Sequence, residues 1–284
     1  MLTILGIAAC GIAVGILIGL TGMGGILIPP LMIFLLGMDT HLAMGTSMAS
    51  FLPPCMLAIW SHVRRGNIHW PAAVPISVAG VVCVFWGTEL KAYSSGDALN
   101  LLLAVLIIVV GGIAFRPVSI SGASVGERRS AWIRPGVRLA LLGGAVGVIS
   151  GMTGAGGSVL TVPAMIAMGY HPLASIATGM VYVTLVCAAG TVGNVLHNTV
   201  DFSLAALCAV GQVIGVWAGL AAARFLKADM LSKVVAWVCV LTGSGILFKT
   251  LLGWIQRVLV MATLAPNSYS LCFSPWLTQS TPGL

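Results

Sequence analysis

Long apolar runs, separated by short polar or glycine-rich breaks, make up this chain from its start to about residue 252. The runs Leu99 to Phe115, Leu173 to Leu196 and Leu204 to Phe225 are almost free of charge. Each is close to the roughly 20 residues that span a bilayer as a helix. The pattern predicts a glycine-broken element over 3–36, followed by helices near 42–61, 71–89 and 97–115. It then predicts the same series again: a broken element over 137–168 and helices near 173–196, 201–223 and 230–252. The chain therefore divides into a first membrane repeat, 1–115, a polar linker, 116–136, a second repeat, 137–252, and a tail, 253–284. The tail has no counterpart in the first half and no clean period, and it receives no function.

The two series share one register. Gly11, Gly15, Gly19, Thr21, Gly22, Gly24 and Gly25 return 132 residues later as Gly143, Gly147, Gly151, Thr153, Gly154, Gly156 and Gly157. The same ungapped offset matches Gly37 with Gly169, Thr46 with Thr178, Cys55 with Cys187, Gly87 with Gly219, Asp97 with Asp229 and Gly111 with Gly243. A register held over that length is an internal duplication. In so apolar a chain it points to a transporter built of two related halves around a shared site.

Composition strengthens the membrane assignment and excludes other classes. The 284 residues are 59% hydrophobic and 7% charged, with a mean hydropathy of +1.09. Soluble domains carry about 25% charged residues, so the expected fold is an all-α polytopic membrane protein. The net charge of +7 is scattered in short clusters between apolar runs. No continuous basic face exists to neutralise phosphates, which excludes nucleic acid as a partner. The seven cysteines show no C-x-x-C and no histidine-rich spacing, so no metal, cofactor or disulfide framework is expected. Leu2 to Ile18 lacks the basic start and small-residue end of a cleaved signal peptide.

The charges also suggest a topology. Arg64 and Arg65 precede the third segment of the first half, whereas the matching loop, Leu196 to Asp201, has no Lys or Arg. Conversely Arg224, Lys227 and Lys233 cluster in the second half, where the first offers only Lys91. A basic loop that changes place between halves is what inverted repeats require under the positive-inside rule. Placing the linker and both basic loops in the cytoplasm gives three full crossings per half. The broken element becomes a hairpin that enters and leaves on one face of the cell (inner or plasma) membrane, with both termini outside.

Chemistry concentrates at the doubled turns, Thr21-Gly22-Met23-Gly24-Gly25 and Thr153-Gly154-Ala155-Gly156-Gly157. Such glycines break a helix, and broken backbone at membrane depth must be buried in protein or line a cavity. Each break frees N–H groups at the start of a half-helix, near Ile26 and Ser158, where the dipole favours an anion. The upstream glycines are expected only to let helices pack closely. Thr46, Ser47 and Thr178, early in the second segment of each half, offer hydroxyls to an oxyanion or bond their own backbone. Cys55 and Cys187 are a symmetric pair that small apolar packing explains as readily as chemistry. Every carboxylate, Asp39, Glu89, Asp97, Glu127, Asp201 and Asp229, falls in a loop or at a helix end. Proton coupling, if present, therefore falls to histidine, with His62 and His171 foremost and His41 and His197 beside them. Asn194, which aligns with His62, and Gln212 serve as interhelical glue or substrate donors. Pro53 and Pro54 kink their helix.

The doubled glycine turn, Ala43-Met44-Gly45-Thr46-Ser47 with its echo Ser175-Ile176-Ala177-Thr178-Gly179, and Gly66-Asn67-Ile68-His69-Trp70 before a helix together resemble the TauE/SafE sulfite exporter family. The resemblance covers about residues 3–252. It implies export or uptake of small sulfur-containing anions such as sulfite or organosulfonates, coupled to ions or protons. The implied partners are the small anion, the lipid bilayer and a coupling ion, with oligomerisation left open. A secondary transporter working by alternating access is the leading reading, and a passive small-anion channel is the alternative. An intramembrane enzyme is disfavoured, since no Ser–His or paired-carboxylate set lies at helix-centre depth. The expected binding set is Thr21, Gly22, Gly24, Gly25, Thr46, Ser47, Thr153, Gly154, Gly156, Gly157 and Thr178.

Overall fold

The structure, a computed structural model, describes residues 2–21, 24–114, 135–222 and Ser244. The linker as far as residue 134, the helix expected over 230–252, the tail and Gly22 lie outside the described residues, as does the Thr21 side chain.

In chain order the helices are α1 (Leu2–Thr21), a short 3-10 turn (Gly24–Leu27), α2 (Ile28–Leu36), α3 (Thr40–Ser50), α4 (Leu52–Arg64), α5 (Trp70–Tyr93) and α6 (Gly96–Ala114). The second half supplies α7 (Pro135–Thr153), α8 (Ser158–Ala167), α9 (Pro172–Leu196) and α10 (Phe202–Ala222). No strand occurs among the described residues. Five of the described spans are long and apolar enough to cross a bilayer, with α3 and α4 counting as one. The fold is an all-α polytopic membrane protein, as the hydropathy pattern predicts.

Local signals set the element ends. Asp39 accepts a hydrogen bond from the His41 N–H at 2.9 Å and caps α3. Asp201 accepts from Ser203 and Leu204 N–H at 2.9 and 3.1 Å and caps α10. Both carboxylates satisfy donors that the first helical turn leaves orphaned. The helix expected over 42–61 is two pieces joined at Phe51, just before Pro53 and Pro54. Its duplicate α9 runs unbroken, because Leu185 and Val186 stand where the prolines would be.

The halves exchange their first helices. Helix α1 lies along α10 of the other repeat, and α7 lies along α5. Gly11 faces Cys208 and Gly211, Gly15 faces Gln212, and Gly19 faces Val216 and Gly219. Gly143 faces Ile76, Gly147 faces Gly80, and Gly151 faces Val84 and Gly87. Shifting Ile76, Gly80, Val84 and Gly87 by the repeat offset lands on Cys208, Gln212, Val216 and Gly219. The same contact is thus made twice with roles exchanged, the signature of a local two-fold. A Cβ on Gly19 would lie 2.6 Å from the Val216 carbonyl oxygen, and one on Gly147 would lie 2.7 Å from that of Gly80. These glycines are packing surfaces that let backbones touch.

Around this joint the helices are apolar on both sides, but the residues differ in size. On α5, Ile76, Gly80, Val84 and Gly87 face inward, while Val74, Val78, Val82 and Trp86 are exposed. Trp217 on α10 is 72% exposed, a surface suited to lipid rather than water. At the centre the Tyr182 ring of α9 packs on Gly80 and Gly157, and its hydroxyl donates to the Gly143 carbonyl at 2.9 Å. The core therefore sits on the interface between the repeats.

Candidate functional site

The second glycine turn is a stretch of left-handed backbone between α7 and α8. Gly154, Gly156 and Gly157 have φ of 69°, 72° and 79°, which costs an L side chain about 1–2 kcal/mol each. Gly154 closes α7 by donating its N–H to the Ser150 carbonyl at 2.8 Å, and it packs on the Met44 carbonyl of α3. Ser47 holds the turn from the other side, donating its hydroxyl to Gly154 O at 3.0 Å and to Met44 O at 2.8 Å.

Helix α8 then starts from Gly157, whose carbonyl accepts the N–H groups of Leu160 and Thr161 at 3.2 and 3.1 Å. Ahead of these, the N–H groups of Ala155, Gly156, Gly157, Ser158 and Val159 have no acceptor among the described residues. All five residues are buried. Buried N–H groups are almost always satisfied, and each orphan costs about 1–3 kcal/mol. A run of five at the positive end of a helix is a preformed set of anion donors. The Ser150 hydroxyl, also buried, has no partner, and its Cβ lies 3.5 Å from the position a Cβ on Gly157 would take.

The first turn faces the second across one shared cavity. Gly25, Ile18, Phe51 and Cys55 of the first repeat line it together with Ala155, Gly156, Ser158, Met180 and Val183 of the second. A Cβ on Gly25 would meet the Phe51 ring at 3.3 Å and the Ala155 carbonyl at 3.4 Å. The cavity holds only about 10 Å³, the room of one water. None of the described residues lining it carries a charged side chain.

The expected residues thus divide. Gly25 and Gly156 line the cavity, Gly154 and Gly157 complete the left-handed turn beside it, Gly24 opens the 3-10 turn, and Ser47 fixes Gly154. Thr153 donates its hydroxyl to Ile149 O at 2.8 Å. Thr46 accepts the Asp201 N–H at 3.0 Å, and Thr178 accepts the His69 N–H at 3.4 Å. His69 and Asp201 are themselves related by the repeat offset, so each threonine anchors the loop that leads into α5 or α10 of the opposite repeat. Cys55 lines the cavity, and Cys187 is buried near Gly156, where a Cβ would lie 3.5 Å from its Sγ.

Among the histidines, His62 is buried in the last turn of α4 with Nδ1 unpartnered. His171 is exposed at the N-terminus of α9, where its carbonyl accepts Ser175 N–H at 2.9 Å. His197 contacts Glu89 at 3.1 Å. Gln212 joins α10 to α3, its Nε2 donating to Ser50 Oγ at 3.1 Å, whereas Asn194 Nδ2 donates within α9 to Gly190 O at 2.7 Å.

Two features escape sequence reasoning. Phe51 roofs the cavity, and nothing in its local pattern separates it from the other apolar residues. Lys91, counted above with the flanking charges, is 1% exposed within α5. Its only signal is that it precedes the end of the helix by a few residues.

Comparison with known proteins agrees with this architecture. The family model described as Sulfite exporter TauE/SafE matches residues 6–246. A probable membrane transporter protein of Xylella fastidiosa (strain 9a5c) is 27% identical over 242 residues, covering 84% of this chain and 92% of its own. The Bacillus subtilis (strain 168) probable membrane transporter protein YdhB is 25% identical over 236 residues, covering 82% and 96%. Probable membrane transporter protein MJ0441 of Methanocaldococcus jannaschii is 25% identical over 197 residues, covering 66% and 71%. No solved structure matches the chain.

Proposed function

The chain belongs to the TauE/SafE sulfite exporter family of membrane transporters, and from that premise we propose that it is a secondary exporter of small sulfur-containing anions such as sulfite or organosulfonates. The observation that carries this reading is the run of five buried, acceptor-free N–H groups from Ala155 to Val159. An oxyanion satisfies several of them at once without a fixed countercharge, so binding is modest and release easy.

Since the cavity holds about one water, the anion enters only when the repeats move apart, and rocking about the glycine joints exposes the site to each side in turn. The repeats are inverted across the cell membrane, with the linker inside and both termini outside. A coupling ion drives the cycle. The proton is the candidate, with the buried His62 ring, whose Nδ1 has no partner, as its carrier and the exposed His171 as a lesser one.

An enzymatic reading finds no support at the site. Ser158 lines the cavity with no histidine or carboxylate beside it. The Gly122-Ala123-Ser124-Val125-Gly126 match to a nucleophile motif lies in the linker, outside the described residues.

The test is flux of sulfite, sulfate, thiosulfate, sulfoacetate and chloride into proteoliposomes, with and without a pH gradient. Saturable, gradient-driven flux of a sulfur anion is the expected result. Gradient-indifferent flux of every small anion would make the protein a channel, and no flux of any of them would overturn the reading.

A further inference from the structure

One buried charge is left over from the site. Lys91 stands on the inward face of α5, in its last turn, and extends its ammonium between four elements. Nζ donates to the His41 carbonyl at the start of α3 at 3.3 Å and to Thr199 Oγ1, in the α9–α10 connection, at 3.3 Å. It also donates to Asn194 Oδ1 on α9. Asn194 is oriented for this by its Nδ2, which donates to Gly190 O at 2.7 Å and contacts Met48 Sδ at 3.4 Å.

All three of these partners are neutral. The carboxylate that acts on Lys91 through space is Asp39, which is beyond ion-pair distance. The ion pair nearby in sequence, Glu89 with His197, does not include it. The C-terminal dipole of α5 and the three acceptors hold the ammonium in place, but none of them cancels its charge.

A tie between two repeats needs no charge: a neutral amide donor would join α5 to Asn194 and Thr199 without desolvating an ion. The second repeat shows that the position can do without one, since the residue matching Lys91 is Ala223. An ionisable side chain kept inside membrane helices is a functional site by default. Its surroundings lead back to the proposed binding region. Thr199 packs on Gly45, beside Thr46 and Ser47, and Ser47 holds the glycine turn through Gly154.

Resting on the transporter reading, we propose that Lys91, Asn194 and Thr199 form a second anion station at the end of the molecule where α5 and α9 finish. There the ammonium receives the anion in exchange for its bonds to Asn194 and Thr199. The station takes small oxyanions, and it supplies the positive charge that the glycine cavity lacks. While those bonds are intact they join α5 to α9 and close this end, so arrival of the anion and opening of the end are one event.

Two substitutions separate a charge from a latch. Lys91→Gln keeps a donor and removes the charge, while Asn194→Asp keeps the lysine and satisfies its charge within the protein. The full chain, purified in detergent, is titrated with sulfite while thermal unfolding is followed, and sulfite uptake is measured in proteoliposomes. Both variants are expected to raise the half-saturating sulfite concentration at least about tenfold, with unfolding in the absence of sulfite at or above the wild-type temperature. Lys91→Arg should stay within about threefold of wild type.

Wild-type sulfite responses in both Lys91→Gln and Asn194→Asp would overturn the station. So would a Lys91→Gln variant that unfolds earlier with its half-saturating concentration unchanged, since that describes a latch alone. Should Lys91→Gln fail to fold, Asn194→Asp decides by the same criterion. A wild type that neither binds nor carries sulfite would sink the sulfur-anion reading instead. The same titration with chloride and phosphate then decides the station: a response weakened in Asn194→Asp upholds it, and identical responses overturn it.

Discussion

The two repeats share one register, and they differ most around the cavity. Positions where backbones meet have been kept: Gly11, Gly15 and Gly19 against α10 match Gly143, Gly147 and Gly151 against α5. So have the threonine anchors, Thr46 on Asp201 and Thr178 on His69. Around the cavity the pairs diverge. Ile18 answers Ser150, Ile26 answers Ser158, Phe51 answers Val183, and the proline-broken α3–α4 answers the continuous α9. Farther out, His62 answers Asn194 and Lys91 answers Ala223. On α1 and α7 a close backbone approach admits only glycine, so those positions match, while their partners on α10 and α5 vary from Gly80 to Gln212. The buried Ser150 and Ser158 hydroxyls lie on the second repeat, where the first has the apolar Ile18 and Ile26.

The comparison breaks most severely at the joints. Gly15→Leu and Gly147→Leu force paired backbones apart, a cost of at least about 1–3 kcal/mol each. Both are expected to lose the monodisperse peak in detergent size-exclusion chromatography to the same extent. Survival of one and loss of the other would show that the joints are not equivalent.

Next come the two buried serines of the second repeat. Ser150→Ile with Ser158→Ile makes the second turn resemble the first and should lower sulfur-anion flux by about tenfold or more, with normal membrane insertion. The reverse change, Ile26→Ser, should leave flux within about twofold. Equal effects from the two would mean that the turns share the anion evenly.

The anchors should respond as a matched pair. Thr46→Val and Thr178→Val each leave one N–H of the opposite repeat without its acceptor, at about 1–2 kcal/mol. Similar falls in unfolding temperature are expected. A loss of flux at unchanged stability would instead place the hydroxyls on the substrate. The smallest effect belongs to the thiols. Cys55→Ala and Cys187→Ala each remove one small apolar group, and flux should remain within about twofold by the same proteoliposome assay.

Much of this was legible along the chain. The duplication shows as one ungapped register, and the break at each glycine turn and the kink before Pro53 and Pro54 depend on neighbours within a few residues, the range over which glycine and proline act. The candidate set was only partly legible. Thr46 and Thr178 stood out because the repeat keeps them, but their hydroxyls meet backbone N–H groups 155 and 109 residues away in sequence. Lys91 looked like a loop charge because helix ends and loop charges share composition, and only packing shows which way a side chain turns.

By itself, then, the sequence determined a membrane-embedded, duplicated, all-helical chain with two glycine breaks, because hydropathy, period and repetition are properties of consecutive residues. Only the tertiary structure decided that α1 serves the second repeat and α7 the first, that both breaks open on one cavity, and that a lysine is buried beside Asn194. Each of these is a contact between segments far apart in the chain, and such contacts are selected by the shape of the packed whole.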